Sequence, residues 1–234
     1  MTALNDFIGR LDEVDALLRH VAPEVDTHSP ISHEKRRPFS NSTLARSCTV
    51  LIVSYFEGFI KDLSDESLDN LIENQLPCSR LESHFRGYVL ADHLKNLREG
   101  RDPSRDWIAM QRVMETAAFM NSGRVIEERF LPRRQIKRAV TSIDPKKINE
   151  LFKIFGDSDL NRGPLSRYGE RLKSLKNIRD NAVHGNEGDF DPLSLGDALN
   201  YLELLKDCAS AMSDRMDLLL SSLHGQAAVT KYIS

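Results

Sequence analysis

Residues 192–223 read PLSLGDALNYLELLKDCASAMSDRMDLLLSSL, and this stretch decides the fold class. Apolar side chains recur in it at steps of three or four residues, which is the period of an α-helix. The seam that they form consists of Leu195, Leu199, Leu202, Leu205, Ala209, Met212, Met216, Leu219 and Leu223. Such a seam needs apolar partners over its whole length, so a second long helix must lie elsewhere in the chain.

That second long helix is predicted at residues 41–75. Its apolar positions follow the same period, and they are Leu44, Cys48, Leu51, Tyr55, Phe59 and Leu63. Residues 50–53 alone read as a β-strand, but the uninterrupted helical pattern around them favours a buried helix. Two long helices of this kind predict an all-α fold, an antiparallel helical bundle.

Shorter helices are predicted at residues 4–21, 81–99, 105–120, 124–140, 145–155 and 164–184, and the last long helix at 192–223. Asp144-Pro145 and Asp191-Pro192 each read as an N-cap followed by proline at the first helical position. Pro132 is expected to kink or split the helix that contains it. We expect one domain over residues 1–234, with residues 80–155 as a helical insertion.

Composition agrees with a helical protein that has a large core. The chain has 234 residues, of which 40% are hydrophobic and only 7% aromatic. The net charge of −3 does not by itself indicate a nucleic-acid binder, but the charge is segregated. Residues 124–153 hold nine Lys/Arg against four Asp/Glu, and residues 187–234 hold three against eight. The basic stretch is either a solvated helix face or a groove for a polyanion.

Cysteine usage and hydropathy predict a cytoplasmic, soluble protein. Cys48, Cys78 and Cys208 lie far apart, and they form no CxxC motif. Their odd number and the lack of a signal peptide predict free thiols in a reducing compartment. The longest apolar run, residues 49–56, is too short to span a bilayer, so no membrane partner is expected.

Most common enzyme motifs are missing from the sequence. There is no P-loop, GxSxG, HExxH, zinc-ligand spacing or dinucleotide fingerprint, so neither a metal nor a cofactor is expected. The remaining candidate is KNIRDNAVHG, residues 176–185. An Arg and a later His with four to six residues between them are a weak signal. The chain also has a similarly spaced pair at Arg86 and His93, so the spacing alone decides nothing.

Arg179 occupies an unusual position on its predicted helix. On a helical wheel with Leu172 at zero, it lies at about −20°, within an apolar stripe. The other members of that stripe are Tyr168, Leu175, Ala182 and Val183. A guanidinium there requires an acid, an interface or a polar cleft. One structural interpretation is an ion pair with Glu57, the lone acid of the apolar run YFEGF at residues 55–59.

His184 is placed to act as an acid or a base. Asp180 lies four residues before it on the same helix face, so the carboxylate can orient the imidazole. The C-terminal end of a helix also favours imidazolium. Both effects are expected to raise the pKa of His184 above about 6.5. The structural alternative is that His184 only caps the helix.

The segment NIRDNAVHG, residues 177–185, resembles the signature of HEPN domains, the higher eukaryote and prokaryote nucleotide-binding domains. Arg179 matches the Arg of that motif, Asp180 its polar residue and His184 its His. The segment ARSCTVLIVSYFEGFIK, residues 45–61, resembles an early helix of bacterial HEPN proteins of the RiboL-PSP and MAE-like groups. Those groups are associated with toxin–antitoxin and defence systems.

The resemblance implies a homodimer whose two motif helices meet, so that both Arg/His pairs line one cleft. Active HEPN proteins are metal-independent endoribonucleases. In that scheme His184 acts as general base on a ribose 2′-hydroxyl or as acid on the leaving oxygen, and Arg179 stabilises charge on the phosphate. Asp180 orients the histidine, and Asn181 and Glu57 are supporting residues.

One arginine per protomer cannot hold a polyanion, so the basic stretch is the predicted source of further RNA contacts. The candidate RNA-binding side chains are Arg129, Arg133, Arg134, Lys137 and Arg138. The implied partners are RNA, a second copy of the chain and an antitoxin protein. Two alternatives stay open: a catalytically inactive HEPN module that binds a nucleotide or a partner protein, and a helical scaffold with an incidental motif.

Overall fold

The computed structural model of the protein describes residues 2–21, 37–99, 103–139, 142–157, 164–184 and 193–231. Within those ranges the chain forms eight α-helices, which are α1 (Thr2–Val21), α2 (Arg37–Glu73), α3 (Ser83–Glu99), α4 (Pro103–Met120), α5 (Arg133–Ala139), α6 (Pro145–Ile154), α7 (Gly169–His184) and α8 (Leu195–Lys231). Short 3-10 turns lie at Cys78–Arg80, Glu128–Phe130 and Pro164–Tyr168. The predicted all-α fold class is confirmed.

The two long helices bury most of the positions that their periodicity predicts. In α2, Cys48, Phe59 and Leu63 are buried and Leu44 and Tyr55 are partly exposed, but the prediction is wrong at Leu51, which is 38% exposed. In α2, Ile52 and Val53 are fully buried, so the stretch that alone reads as a strand is a core helix. In α8 the predicted seam is buried over most of its length, at Leu202, Leu205, Ala209, Met212, Met216, Leu219 and Leu223. Packing of these apolar faces, rather than helix propensity, stabilises helices of this length.

Among the described residues, α2 contains the one stretch whose length and hydropathy reach those of a membrane span. This stretch, Ser42–Glu73, has a mean hydropathy of 1.2 in its most apolar window, and half of that window is buried. Core helices often pass the same test, so the observation is a weak indication of a membrane segment.

The chain divides into two compact units. The first unit takes its described residues from Met1–Ile60, Ser142–Pro145 and Asn161–Ser213. The second takes them from Lys61–Thr141, Lys146–Leu160 and Asp214–Ser234. The single domain with an insertion at residues 80–155 stays a prediction.

In the first unit, α1 packs against α2 through aromatic side chains. The ring centroid of Phe7 lies 5.1 Å from that of Phe59 and 5.8 Å from that of Phe56. One turn farther along α1, the Arg10 guanidinium lies 5.8 Å from the ring centroid of Tyr55. Later residues of α1 therefore contact earlier residues of α2, so these two helices are antiparallel.

The same unit pairs α1 with α8. Lys206 Nζ lies 2.8 Å from Asp12 Oδ1. Farther along α1, Arg19 experiences the charge of Glu203, which lies earlier in α8. Within this unit α8 is thus also antiparallel to α1, so α2 and α8 run in the same direction here.

The second unit has its own core and its own polar ties. Phe85 of α3 meets Phe155 edge to face, with ring centroids 6.3 Å apart. Arg215 Nε of α8 lies 2.6 Å from Oδ2 of the buried Asp157. Near the C-terminal ends of α2 and α8, Asn70 Oδ1 lies 2.9 Å from His224 Nε2.

The predicted helix at residues 124–140 is wrong in its N-terminal half. Cys78 N donates to Arg124 O at 2.8 Å, and Ile126 N donates to Leu76 O at 3.0 Å, so this segment forms a bridge of the β type. α5 begins only after Pro132, at the position where a proline was expected to split the helix. Proline lacks the N–H that a continuous helix would need there.

Two predicted helix starts also need correction. The segment Pro164–Tyr168 is a 3-10 turn, and α7 begins at Gly169. α8 begins at Leu195 rather than Pro192. Ser194 and Asp197 explain that start, because Ser194 Oγ accepts from Asp197 N at 3.0 Å and Asp197 Oδ2 accepts from Ser194 N at 2.9 Å. This reciprocal pair is a capping box. The start of α6 at Pro145 agrees with the prediction.

Candidate active site

The candidate site lies on α7, where the first half of the predicted apolar stripe is buried; Ala182 is partly exposed, and the side chain of Val183 lies outside the described residues. Tyr168, Leu172 and Leu175 have exposures of 4%, 3% and 0%, respectively. Arg179 continues this face toward the C-terminal end, where its side chain is 35% exposed. The helix therefore anchors itself through its first two turns and presents a half-buried guanidinium near its end.

Two carboxylates hold the Arg179 side chain. Its Nη1 donates to Asp180 Oδ1 at 2.9 Å, and its Nη2 lies 3.5 Å from Glu57 Oε2 on α2. The hydrogen bond that Arg179 donates to Asp180, followed by the charge of Glu57, raises the pKa of Arg179 above its ordinary value. The guanidinium is therefore a permanent cation with a fixed direction.

Glu57 is the buried anchor of this arrangement. Its side chain is only 11% exposed, and Oε1 accepts from Ile143 N at 3.3 Å. A buried carboxylate is costly without partners, and here one oxygen receives a backbone N–H while the other faces a guanidinium. Glu57 thus joins three segments of the first unit: α2, the turn before α6, and α7.

The structure adds two charged residues that the sequence did not single out as functional. Lys176 Nζ lies 3.6 Å from Asp144 Oδ2 and 4.0 Å from Asp180 Oδ2. Lys176 is one helical turn before Asp180, a spacing that does predict their proximity. No sequence signal links Asp144 to α7. The resulting row of alternating charges runs from Glu57 through Arg179, Asp180 and Lys176 to Asp144.

His184 is the last residue of α7, and its side chain lies outside the described residues. Its backbone position is sufficient to set the spacing of the motif. Asp180 is four residues before it and Arg179 five, so the carboxylate and the histidine start from the same face of the helix. Asn181, the other predicted supporting residue, is partly exposed on the turn between them.

The second Arg/His pair of the sequence has a different character. Arg86 Nε donates to Leu81 O at 2.8 Å, and its Nη1 donates to Asn121 Oδ1 at 2.9 Å. These bonds tie the start of α3 to the end of α4, which is a structural role. The side chain of His93 lies outside the described residues.

Comparison with protein-family profiles shows to which family the chain belongs. The profile described as RiboL-PSP-HEPN matches residues 5–217. The chain belongs to the RiboL-PSP-HEPN family. Comparison with curated proteins and with solved structures gives no match. The match runs from α1 into α8, so it includes α2, the motif helix α7 and the segments between them in this HEPN protein.

The basic segment of the HEPN chain is largely neutralised by carboxylates from α2 and its own turn. Arg133 pairs with Asp69, and its Nε lies 2.8 Å from Glu128 Oε1. Lys137 Nζ lies 2.6 Å from Asp65 Oδ2. Arg129 Nε lies 2.8 Å from Glu127 Oε2, and Arg134 and Arg138 are exposed. The RNA-binding role of the five candidate cations stays a prediction.

The described part of the HEPN protein contains free thiols but no cluster of potential metal ligands. Within the described ranges, no group of three or more His, Cys, Asp or Glu side chains is arranged to hold a metal ion. All three cysteines are buried, and burial raises the pKa of Cys208 to about 12.

Proposed function

We propose that this HEPN protein is a metal-independent endoribonuclease that acts as a homodimer in the cytoplasm, as the toxin or effector of a bacterial toxin–antitoxin or defence system. Membership of the RiboL-PSP-HEPN family supports an RNase or nucleotide-related function. The observation that carries the finer proposal is the fixed, partly exposed Arg179 beside Asp180, on the helix that ends at His184. An antitoxin protein would be the natural partner of such a toxin.

The proposed reaction is an intramolecular phosphoryl transfer within RNA. His184 removes the proton from a ribose 2′-hydroxyl, whose oxygen attacks the adjacent phosphorus. The bond from phosphorus to the 5′-oxygen of the next nucleotide breaks, and that oxygen takes a proton from an imidazolium, for which the partner subunit's His184 is available in a homodimer. The products are a 2′,3′-cyclic phosphate and a 5′-hydroxyl.

Arg179 supplies electrostatic stabilisation in this scheme. Negative charge grows on the non-bridging phosphate oxygens as the 2′-oxygen attacks, and a guanidinium aimed there stabilises the transition state. A guanidinium has five N–H donors. Single bonds to Asp180 and Glu57 leave others for a phosphate. Because both carboxylates are already in place, the side chain needs little reorganisation when RNA binds.

The second candidate function is a HEPN module without catalysis, which binds a nucleotide or a partner protein. The same ion pairs favour it, because a guanidinium between Asp180 and Glu57 is also a satisfied structural cation. The two candidates differ in whether the removal of Arg179 or His184 abolishes a chemical step.

A cleavage assay in EDTA distinguishes them. Labelled RNA is incubated with the wild type, Arg179→Ala and His184→Ala, and the product ends are identified. We expect cyclic-phosphate ends from the wild type and a loss of rate of at least about a thousandfold in each variant. Matched controls are Arg171→Ala, an exposed arginine on α7, and His20→Ala, an exposed histidine in the last turn of α1. Activity that persists in His184→Ala, or that needs magnesium, would contradict the proposal.

A further inference from the structure

The second compact unit contains an open cavity of about 700 Å³ that is separate from the α7 motif. Its walls come from the C-terminal half of α4 and from the segment that leads through the 3-10 turn Glu128–Phe130. The lining residues used below are Arg112, Phe119, Ser122, Arg124, Arg129 and Phe130. The volume falls within the roughly 300–1,000 Å³ that is typical of sites for small molecules.

Two aromatic rings form the back of this cavity. Phe119 and Phe130 stack with their centroids 4.1 Å apart and their planes 22° from parallel. The Arg124 guanidinium lies 5.0 Å from the Phe119 centroid, and the Arg129 guanidinium lies 4.7 Å from the Phe130 centroid. Each ring therefore carries a cation over it, which restricts the orientation of two otherwise flexible side chains.

Glu127 fixes the same two arginines from one side. Its Oε1 lies 3.4 Å from Arg124 Nη2, and its Oε2 lies 2.8 Å from Arg129 Nε. Both arginine side chains are nonetheless 67% exposed, so most of their N–H groups remain accessible. Ser122 Oγ accepts from Arg124 N at 3.2 Å, which orders the turn beneath them.

Charge in the cavity favours an anion. Arg112, Arg124 and Arg129 line it, and Glu115 is the one carboxylate among its described lining residues. With Glu127 counted as well, the three arginines still outnumber the two carboxylates. Gln111 Nε2 donates to Glu115 Oε1 at 2.8 Å, so this carboxylate already has a neutral partner. Ordered guanidinium groups are the side chains best matched to phosphate oxygens, because their donors are planar and can bind in pairs.

We propose that this cavity binds nucleotide phosphates of a single-stranded RNA, as an attachment point for the substrate of the proposed ribonuclease. A single strand can turn a phosphate and its base into a recess, where the phosphate meets the guanidinium donors and the base lies against a guanidinium plane. A duplex keeps its bases stacked and presents a convex row of phosphates, so it does not enter a recess. The proposal rests on the proposed function for the identity of the substrate, but it can be tested without cleavage.

The test measures binding of a labelled 2′-O-methyl oligouridine of about 12 nucleotides, a length within the range that single-strand sites cover. This strand lacks the 2′-hydroxyl nucleophile, so the wild-type protein cannot cut it by the proposed reaction. Fluorescence anisotropy at low and high salt compares the wild type with the triple variant Arg112→Gln, Arg124→Gln, Arg129→Gln. We expect at least about a tenfold loss of affinity. The slope of log affinity against log salt concentration should also be smaller in magnitude by about 2, because each phosphate contact to a single strand contributes roughly 0.7 to that slope.

A matched control removes the same charge elsewhere. Arg10→Gln, Arg19→Gln and Lys147→Gln together alter exposed cations outside the cavity, and affinity should stay close to that of the wild type. Phe130→Leu keeps all three arginines but removes one ring platform, and we expect a several-fold loss. Circular dichroism checks that each variant retains its helices.

The proposal would be overturned if the triple variant bound the strand as tightly as the wild type does, or if the charge-control variant lost as much affinity as the triple variant. It would also be overturned if the triple substitution weakened binding of an RNA duplex of the same length by the same factor. Uridine monophosphate is tested as a further ligand, because a free nucleotide carries the same phosphate group. If it binds as tightly as the strand, the cavity is a mononucleotide site and the assignment to single-stranded RNA is wrong. If the protein cleaves RNA but its affinity for the strand does not depend on these arginines, the proposed function stands and only this inference is wrong.

Discussion

Arg179 Nη2 lies 3.5 Å from Glu57 Oε2, a contact between residues 122 positions apart in the sequence. The two side chains are not equivalent in their surroundings, since Glu57 is 11% exposed and Arg179 is 35% exposed. The buried partner is therefore the fixed one, and the arginine reaches from it toward solvent. This geometry predicts that Glu57 positions the cation of the HEPN motif.

Replacing Glu57 tests whether that positioning matters for catalysis. Glu57→Gln keeps an oxygen that can accept from Ile143 N but loses the charge that faces Arg179. Under the proposed function, we expect kcat to fall about tenfold while KM changes little, which corresponds to about 1.4 kcal/mol of lost transition-state stabilisation. Single-turnover and steady-state RNA cleavage measure the two parameters.

The control for this variant is Glu73→Gln, which makes the same chemical change at an exposed position of the same helix. Its kcat and its unfolding temperature should match those of the wild type. If Glu57→Gln lowers the unfolding temperature and leaves kcat unchanged, the ion pair is structural only, and the positioning role is wrong.

Much of this fold follows from local periodicity. The spacing of apolar residues in α2, α7 and α8 predicted much of the buried surface: Phe59, Leu172 and Met212 are buried as expected, whereas Leu51 is exposed. A packed helix buries apolar residues that recur every three or four positions, so this signal is present in a short window of sequence. The same wheel indicated that Arg179 needed an acid, an interface or a polar cleft, and the ion pair with Glu57 was one interpretation of it.

The remainder depends on contacts between distant residues. The segment after Arg124 is extended because it pairs with residues 76–78, and no local pattern reports that pairing. The positive balance of residues 124–153 likewise overstated the free charge, since Arg133 and Lys137 meet Asp69 and Asp65 of α2. The net charge of a sequence segment therefore differs from the net charge around it in the fold, where acids from other segments lie close by. The cavity lined by Arg112 and Arg124 arises from the same extended segment.

The start of α8 provides a test of stability that is independent of catalysis. Ser194→Ala removes the hydroxyl that accepts from Asp197 N, and we expect the free energy of unfolding to fall by about 1 kcal/mol. Urea unfolding followed by circular dichroism measures it. Ser221→Ala, at an exposed position within the same helix, should cost much less.

This cap should also depend on pH in a defined direction. Hydrogen bonds from the Ser194 hydroxyl and backbone lower the pKa of Asp197 below its ordinary value. A depressed carboxyl pKa adds stability above the unfolded-state pKa, and this contribution disappears as the pH falls through the folded-state pKa. The stability difference between the wild type and Asp197→Asn should therefore shrink below about pH 4. A difference that grows on acidification would contradict the capping role.

The proposed homodimer makes the most direct prediction about the motif helix. If the interface is centred on residues 164–185, Arg179 and His184 lie near a two-fold axis, and a residue near such an axis also lies near its own copy. Sedimentation should show a dimer at micromolar concentration. Asn181→Cys, on the turn between those two residues, should then join two protomers through a short bismaleimide.

The native cysteines make this cross-linking experiment clean. Cys48, Cys78 and Cys208 are all buried, and burial raises the pKa of each thiol, so they should not react in the folded protein. Ser221→Cys places an exposed thiol on α8, outside the proposed interface, and it should label without forming a covalent dimer. A strict monomer would contradict the proposed assembly. So would a dimer that cross-links through Ser221→Cys and not through Asn181→Cys, because the two motifs would then lie too far apart to share one cleft.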